Sequence, residues 1–520
     1  MGDRGDRFTN LLLKYVFRPT LSKGSAWELG IGSWDLTRIY RPEDSTMNIA
    51  VRVIGLCSVA AALTAAQAGH AAEPGWPQFR GPGGAGVADQ ASLPERWSST
   101  ENVAWVVELP GRGWSSPIVL GDRVFITTAV SPGGFKQPST GIYGNDYAAE
   151  LAKQGLSEQE VVKRVVARDI ELTSETGELS YMVLALDRKT GKILWKQEAH
   201  KGAPFGGRHR KNTYASETPA TDGERVYASF GGNVGVFAYS LDGTLIWKHT
   251  WPPQPIYLDF GTGSSPIVHN GRVYMLHDND GQSFFAALDA TTGKEIWSVK
   301  RTDLASRVAS GWATPFVWDN GTRTEIVTIG RGFVISYDPD GRELWRLKGM
   351  TQATPLPVAA DGLLYVGSGS QGEANRPLFA VRPGASGDIS LAKDQTSNEF
   401  VTWFQPRLSG YTPSPLVYRG RVYVVNDNGI MQVADAKTGV EVFKARVGGG
   451  GSTFSSSPVA SQGRIYCVSE DGDTFVLKAG DQYAEIAKNS LGEMSFATPA
   501  VDADGLLIRT QTKLYRIGKP

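Results

Sequence analysis

Ser264-Ser-Pro-Ile-Val-His-Asn-Gly-Arg-Val-Tyr274, followed by Ala287-Leu-Asp-Ala-Thr-Thr-Gly-Lys-Glu-Ile-Trp297, decides how the whole chain is read. The first stretch is a Ser-Pro step, an apolar pair, an Asn-Gly turn and an alternating run. The second is an apolar run, a Thr-Gly turn and a closing tryptophan. Working outward, the Ser/Thr-Pro anchor recurs at Pro117, Pro219, Pro266, Pro315, Pro355, Pro415, Pro458 and Pro499, which makes eight units. The turn glycine and the closing aromatic keep one spacing in Gly191/Trp195, Gly243/Trp247, Gly293/Trp297, Gly341/Trp345 and Gly439/Phe443.

Each unit carries alternating segments such as Arg123-Val-Phe-Ile-Thr127, Arg225-Val-Tyr-Ala-Ser229 and Arg421-Val-Tyr-Val-Val425. Such alternation marks strands, and Asp-Gly or Asn-Gly pairs supply the positive φ of tight hairpins. Four short strands in about 40–50 residues make one blade of a propeller. A single blade cannot bury both faces, so blades stack, and a closed ring removes the unstacked ends. The expected fold is therefore all-β, an eight-bladed β-propeller. The last unit, from Ala497-Thr-Pro499 to Ile517, stops without a tryptophan strand. Asn102-Val-Ala-Trp-Val-Val-Glu-Leu109 precedes the first anchor and supplies one, so this N-terminal strand is expected to complete the last blade.

Two stretches interrupt the repeat. Ala129–Ser180 is an insertion in the first unit; Ser157-Glu-Gln-Glu160 has the capping-box pattern, and Val161, Val162, Val165 and Val166 follow at helical spacing. A short helical excursion is expected there. Gly384–Phe400 interrupts the fifth unit and reads as a solvated loop.

Composition bounds the function. Lys+Arg and Asp+Glu both number 53 in 520 residues, so there is no overall field to hold nucleic acid or an acidic membrane. Of two cysteines, Cys57 lies in the leader and Cys467 in an alternating strand, where a packed thiol is expected. No CxxCH site and no Cys/His zinc pattern is present. Met47, Arg52, the apolar run Val53–Ala66 and the small residues Ala66-Gln-Ala68 and Gly69-His-Ala-Ala72 have the order of a signal peptide, too short to span a membrane. The expected start is Met47, with Met1–Thr46 upstream of it; the rival is a genuine extended leader. Leu56 before Cys57 breaks the lipoprotein pattern. The expected location is periplasmic or secreted, for a monomer comprising one propeller over 73–520 and no transmembrane segment after cleavage of 47–72.

The run Ala185-Leu-Asp-Arg-Lys-Thr-Gly-Lys-Ile-Leu-Trp195 resembles the PQQ-like (pyrroloquinoline-quinone-type) propeller repeat. That repeat occurs in quinoprotein alcohol dehydrogenases and in the propeller lipoprotein of the bacterial outer-membrane assembly machine. Trp76-Pro-Gln-Phe-Arg-Gly-Pro82 and Trp114-Ser-Ser-Pro117 look like a secreted bacterial subgroup of it. The resemblance covers about Trp76–Gly518 and implies the fold far more specifically than any activity.

In a ring of this kind, residues just before the anchors open at one channel mouth. Trp114, Lys211, Asn212, Tyr214, Glu217, Asp259, Arg307, Trp312, Tyr411 and Phe454 are expected there, joined by Asp278-Asn279-Asp280. Aromatic walls with a few convergent polar groups make a small-ligand site; the alternative is that these residues fill the channel and satisfy one another. Arg208-His-Arg-Lys211 is either a solvated loop or a contact for an anionic ligand. His200, His209, His249, His269 and His277 show no metal-ligand spacing, and neither a Gly-x-Ser-x-Gly elbow nor a phosphate loop occurs.

Quinone chemistry requires a metal, oxygen ligands and a carboxylate base. Glu217, Asp259 and Asp280 are the candidate oxygens, but the adjacent cysteine pair of many quinoprotein alcohol dehydrogenases is missing. The expectation is a non-catalytic extracytoplasmic binding or scaffold protein without cofactor or metal, whose partner is a small molecule or a protein. The alternatives are a PQQ- and calcium-dependent dehydrogenase and an outer-membrane protein assembly factor, the latter weakened by the missing lipoprotein pattern.

Overall fold

The computed structural model describes residues 75–133, parts of 151–167, 177–231, 234–302, 309–370, 374–503 and 505–519. The segment read as a leader, 47–72, and Arg307 lie outside the described residues. The strands form eight sheets, seven with four strands and one with five, and each has a core of antiparallel neighbours. One blade runs Ile267–His269, Arg272–His277, Phe284–Asp289 and Glu295–Lys300. The third and fourth strands slip register beside the closing aromatic, as at Ala185/Leu186, Ala238/Tyr239, Ala287/Leu288 and Val433/Ala434. Bulges of this kind increase local twist, and here they recur at one repeat position.

The ring closes as the repeat count requires. Val103–Glu108 pairs antiparallel with Lys513–Ile517, the last strand of the eighth blade. This borrowed strand brings Trp105, which the eighth unit lacks.

At the rim, the closing tryptophan of one blade lies on the turn glycine of the next. A Cβ at Gly243 would sit 2.8 Å from the Trp195 ring, and one at Gly341 would sit 2.8 Å from Trp297. Gly243 has φ +91°, so glycine is required there both for the backbone and for the approaching indole. Each indole N–H then donates across the junction: Trp105 to Arg188 O, Trp195 to Leu241 O, Trp247 to Ala290 O and Trp403 to Ala436 O, all at 2.9 Å. Trp297 donates to Pro339 O at 3.0 Å. The Thr-Gly-x-x-x-Trp spacing thus serves two blades at once.

Trp345 departs from this pattern. Its indole donates to Glu325 of its own blade at 2.6 Å, and the side chain is fully buried. Beside it runs the Gly384–Phe400 connection, most of which is exposed as a solvated loop but part of which packs on the sheet. Gly387–Asp388 adds to the fourth blade as a parallel fifth strand beside Trp345 and Arg346. Ile389 N–H donates to Arg346 O at 2.9 Å, and Ala385 and Ile389 are buried. A sheet edge that would otherwise be exposed is covered by the chain itself.

At the hub, the anchor hydroxyls stitch neighbouring blades. Backbone N–H groups donate from Ser116 to Thr218 Oγ1, Thr218 to Ser265 Oγ, Ser265 to Thr314 Oγ1, Ser414 to Ser457 Oγ and Ser457 to Thr498 Oγ1, at 2.9–3.0 Å. Leu356 N–H donates to Ser414 Oγ at 2.9 Å. The eight-to-one seam is sealed differently, by the buried Arg509 guanidinium donating to Ser115 O, Ser115 Oγ and Thr127 O.

Residues ahead of the first blade close the far end of the channel. Trp76 exchanges backbone bonds with Val119, Thr221 N–H donates to Pro77 O, and Ala88 and Gly86 bond Ala460. Each of these partners lies two residues beyond an anchor proline. The buried Arg80 donates to Pro415 O at 2.8 Å, and burial pushes its pKa down to about 9. Phe79 packs with Phe316 and Leu356.

In the first-blade insertion, Glu160 N–H donates to Ser157 Oγ at 3.3 Å and Glu160 pairs with Arg164 at 3.0 Å, as a capped helical start requires. Cys467 is a buried strand thiol whose pKa burial raises to about 12. Among the described residues no helix is long and apolar enough to cross a membrane.

Candidate functional site

The channel holds a cavity of about 220 Å³, open at one mouth. Its construction follows from strand parity. Alternate residues on a strand face the same side, so positions one and three before each anchor proline share a direction. The first set is all hydroxyl: Ser116, Thr218, Ser265, Thr314, Thr354, Ser414, Ser457 and Thr498, and every one lines the cavity. The second set also lines it throughout but varies: Trp114, Ser216, Gly263, Trp312, Gln352, Thr412, Ser455 and Phe496. Position two before the proline points away into the sheet packing.

Two aromatic walls result. Trp114 and Phe496 meet with centroids 4.9 Å apart and planes at 59°. Trp312 stands 6.5 Å from Phe260, its indole N–H donating to Gly261 O at 2.7 Å. Phe79, from the segment across the far end, forms part of the floor. Tyr411 also lines the cavity; burial, reinforced by Asp427, pushes its phenol up to about 12.

The charged groups are paired. Lys211, on the connection between the first two blades, donates to both oxygens of Glu470 in the seventh at 3.0 and 2.9 Å. Glu470 also accepts from Thr453 at 2.9 Å and Ser455 at 2.6 Å. Arg376 donates to Asp427 at 2.7 Å. His209 packs edge-on against Phe260; burial, then the charges of Lys211, Arg210 and Arg208, push its pKa down to about 3, so it is neutral. Arg208 and Arg210 are buried, so this basic segment is not a solvated loop.

Of the residues anticipated at the mouth, Trp114, Lys211, Asn212, Trp312 and Tyr411 come together around this cavity. Glu217 does not: it sits two before its proline, faces the other way, and accepts from Thr262 at 2.5 Å behind the cavity wall. Burial pushes its pKa up. Asp259 and Tyr214 line a separate small cleft. Asp280 accepts from Ala309 N–H, Ser310 N–H and Ser310 Oγ, and so holds a loop. Asp278 forms a two-point buried ion pair with Arg301, and Phe454 packs on Phe475. Glu470, Asp427, Gln352, Phe496, Phe260 and Phe79 were missed. The signal that could have found Gln352 and Phe496 is the parity of the anchor; Glu470 has no spacing to reveal it.

The donor set does not fit calcium, which takes six to eight oxygens. Among the described residues no cluster of three or more His, Cys, Asp or Glu side chains could hold a metal. The cavity's two carboxylates each face a cation of the protein. Glu217, Asp259 and Asp280, the oxygens anticipated for such a site, lie apart in three different bonding networks.

Among solved structures, the quinohemoprotein alcohol dehydrogenase from Comamonas testosteroni is 10% identical, with a TM-score of 0.53 over 87% of this chain and 82% of its own. Quinohemoprotein alcohol dehydrogenase ADHIIG from Pseudomonas putida HK5 is 12% identical, with a TM-score of 0.50 over 86% and 81%. BamB from Moraxella catarrhalis is 13% identical, with a TM-score of 0.33 over 66% and 77%. The likeness to the two dehydrogenases is one of fold. No curated protein matches the sequence. The family model described as outer membrane protein assembly factor BamB matches residues 173–376, 330–478 and 392–514, which overlap to span most of the propeller. The chain therefore belongs to this family of propellers built from PQQ-like repeats.

Proposed function

We propose that this protein is a non-catalytic extracytoplasmic propeller that binds a small molecule in the single-mouthed channel cavity. The observation that carries the proposal is the contrast between two sets of cavity positions: the anchor hydroxyls are uniform, whereas the positions above them vary from glycine to tryptophan. A scaffold alone has no need of two aromatic walls around an open cavity; a binding site does. Its ionised groups are paired with one another, so no general base is poised for chemistry. The leader between Met47 and Ala72 supports export.

The test is native mass spectrometry of the full chain as purified, paired with tryptophan emission on ligand release. A bound mass lost in Trp312→Ala, with melting temperature retained, supports the proposal. Dye reduction by alcohols after adding the quinone and calcium would instead establish a dehydrogenase. The family's description favours a second reading, an outer-membrane assembly factor. Specific crosslinking to outer-membrane proteins through the blade edges, with the cavity dispensable, would favour it over ligand binding.

A further inference from the structure

The cavity's chemistry narrows its ligand, on the footing that it is a binding site. The first constraint is charge. Lys211 with Glu470, and Arg376 with Asp427, form two neutral pairs. A buried anion or cation entering without a countercharge loses several kcal/mol of hydration that nothing here returns. The occupant is uncharged.

The second constraint is hydrogen bonding. Each stitching hydroxyl accepts a backbone N–H from the preceding blade and keeps its own O–H hydrogen. For Thr218, Ser265, Thr314, Ser414, Ser457 and Thr498 no protein acceptor for that hydrogen is found among the described residues. No such stitch is found on Thr354 among the described residues, nor at the eight-to-one seam, where Arg509 takes its place. The buried Ser116 hydroxyl and the buried Trp114 indole N–H there have no partner among the described residues. Among the acceptors is a carboxylate oxygen: Asp427 binds Arg376 through Oδ1, and no partner of its Oδ2 is found among the described residues. The occupant therefore carries many oxygens, mostly as acceptors, and at least one donating hydroxyl.

The third constraint is shape. Trp114 with Phe496, and Trp312 with Phe260, present aromatic faces around the polar ring. A compound with flat C–H faces and an oxygen-rich perimeter matches both features.

We infer that the cavity takes a neutral pyranose sugar, its C–H face on a tryptophan and its hydroxyls on the Ser116, Trp114 and Asp427 polar atoms. Unpartnered buried donors are costly, and a sugar's oxygens would satisfy them.

The experiment titrates the full chain calorimetrically with D-glucose, D-galactose, D-mannose, D-xylose and cellobiose, alongside glucuronate, glucosamine and the quinone. The expected result is heat from at least one neutral sugar and none from the charged probes. Losing one neutral hydrogen bond should weaken binding about 3–10-fold in Ser116→Ala. Trp312→Ala should weaken it by at least about tenfold. Gln352→Ala, a gentler change at the same rim, guards against misfolding of the tryptophan variant, and melting curves accompany all three. Binding of glucuronate or the quinone in place of neutral sugars, and sensitive to Trp312→Ala, overturns the sugar assignment while leaving a binding cavity. Absence of heat from every probe, with no bound mass in the purified protein, overturns both.

Discussion

The hub and the mouth of this propeller lie two residues apart on the same strands, yet they obey different rules. One residue before the anchor proline, every blade places a hydroxyl. Three residues before, no single residue type dominates, and the side chains run from Gly263 to Trp312. In six of the eight blades the uniform position accepts a backbone N–H of the neighbouring blade, so there any side chain without an oxygen leaves that donor unpaired. The variable position lines the cavity and makes none of these stitches between anchors. Scaffold and site are therefore separable along a single strand, and substitutions at the rim, hub and mouth should grade accordingly.

The largest effect is expected at the rim, where a single tryptophan fills a junction between blades. Trp247→Ala empties the space above Gly293 and removes the bond to Ala290 O. Thermal or denaturant unfolding should show a loss of about 3–5 kcal/mol, as for other buried aromatic truncations. Ligand binding by the folded remainder should be unchanged. A stability loss below about 1 kcal/mol would mean that the belt is not a load shared between blades.

At the hub the effect is smaller. Ser265→Ala deletes the acceptor of Thr218 N–H at a buried junction. Leaving that N–H unpaired costs about 1–3 kcal/mol. Ser265→Thr, which keeps the oxygen and reproduces what four other blades use, should restore most of it. If the alanine variant melts like the parent, the hydroxyl ring is not what joins the blades.

The repeat made the propeller, its blade number and its borrowed closing strand legible, because each depends on spacing that recurs. Features that occur once were not legible. Nothing in Gly384–Phe400 announces that Gly387–Asp388 will cap the fourth blade's edge, since a two-residue parallel strand has no pattern of its own. Trp345 looks like every other closing tryptophan in the sequence, yet its indole donates to Glu325 of its own blade. Likewise Trp76–Pro82 reads as a family signature, and only the assembled ring shows it crossing the far end of the channel. The mouth was half legible. Proximity to an anchor correctly gathered Trp114 and Trp312, but proximity without parity also swept in Glu217, which strand pleating turns the other way. The Lys211–Glu470 pair joins residues 259 positions apart through ring closure, which no local pattern encodes.

His209 blurs the division, because it lies at the mouth and yet couples to stability. Its folded pKa, near 3, is below the ordinary histidine value of about 6.5, so between these pH values the unfolded chain binds a proton that the folded chain excludes. Stability is therefore full above about pH 6.5 and falls as pH drops. After allowance for partial exposure, the loss by pH 4 should be about 1–2 kcal/mol. His277, held near 4 by burial and by His249, acts with the same sign. The informative quantity is thus the difference between parent and His209→Gln, whose acid slope should be shallower. Parallel slopes would show that His209 has no role in acid sensitivity.

The smallest change sharpens the comparison most. Gln352 occupies the variable position of the fifth blade, is half-buried, and makes no backbone stitch. Its neighbour two residues on, Thr354, holds the hydroxyl position of the same strand. Gln352→Ala removes a polar group from the cavity rim and its hydrogen bond to the Tyr411 phenol, but no stitch between blades, so its stability cost should stay within about 0.5–1.5 kcal/mol, that of one hydrogen bond. Its effect on any cavity ligand should exceed that figure when both are expressed as free energies, whereas Ser265→Ala should show the reverse order. Calorimetric binding and denaturant unfolding on the same two preparations give the four numbers needed. Should Gln352→Ala cost as much stability as Ser265→Ala and leave binding untouched, the variable position is scaffold too, and the cavity is only the space that eight blades leave when they close.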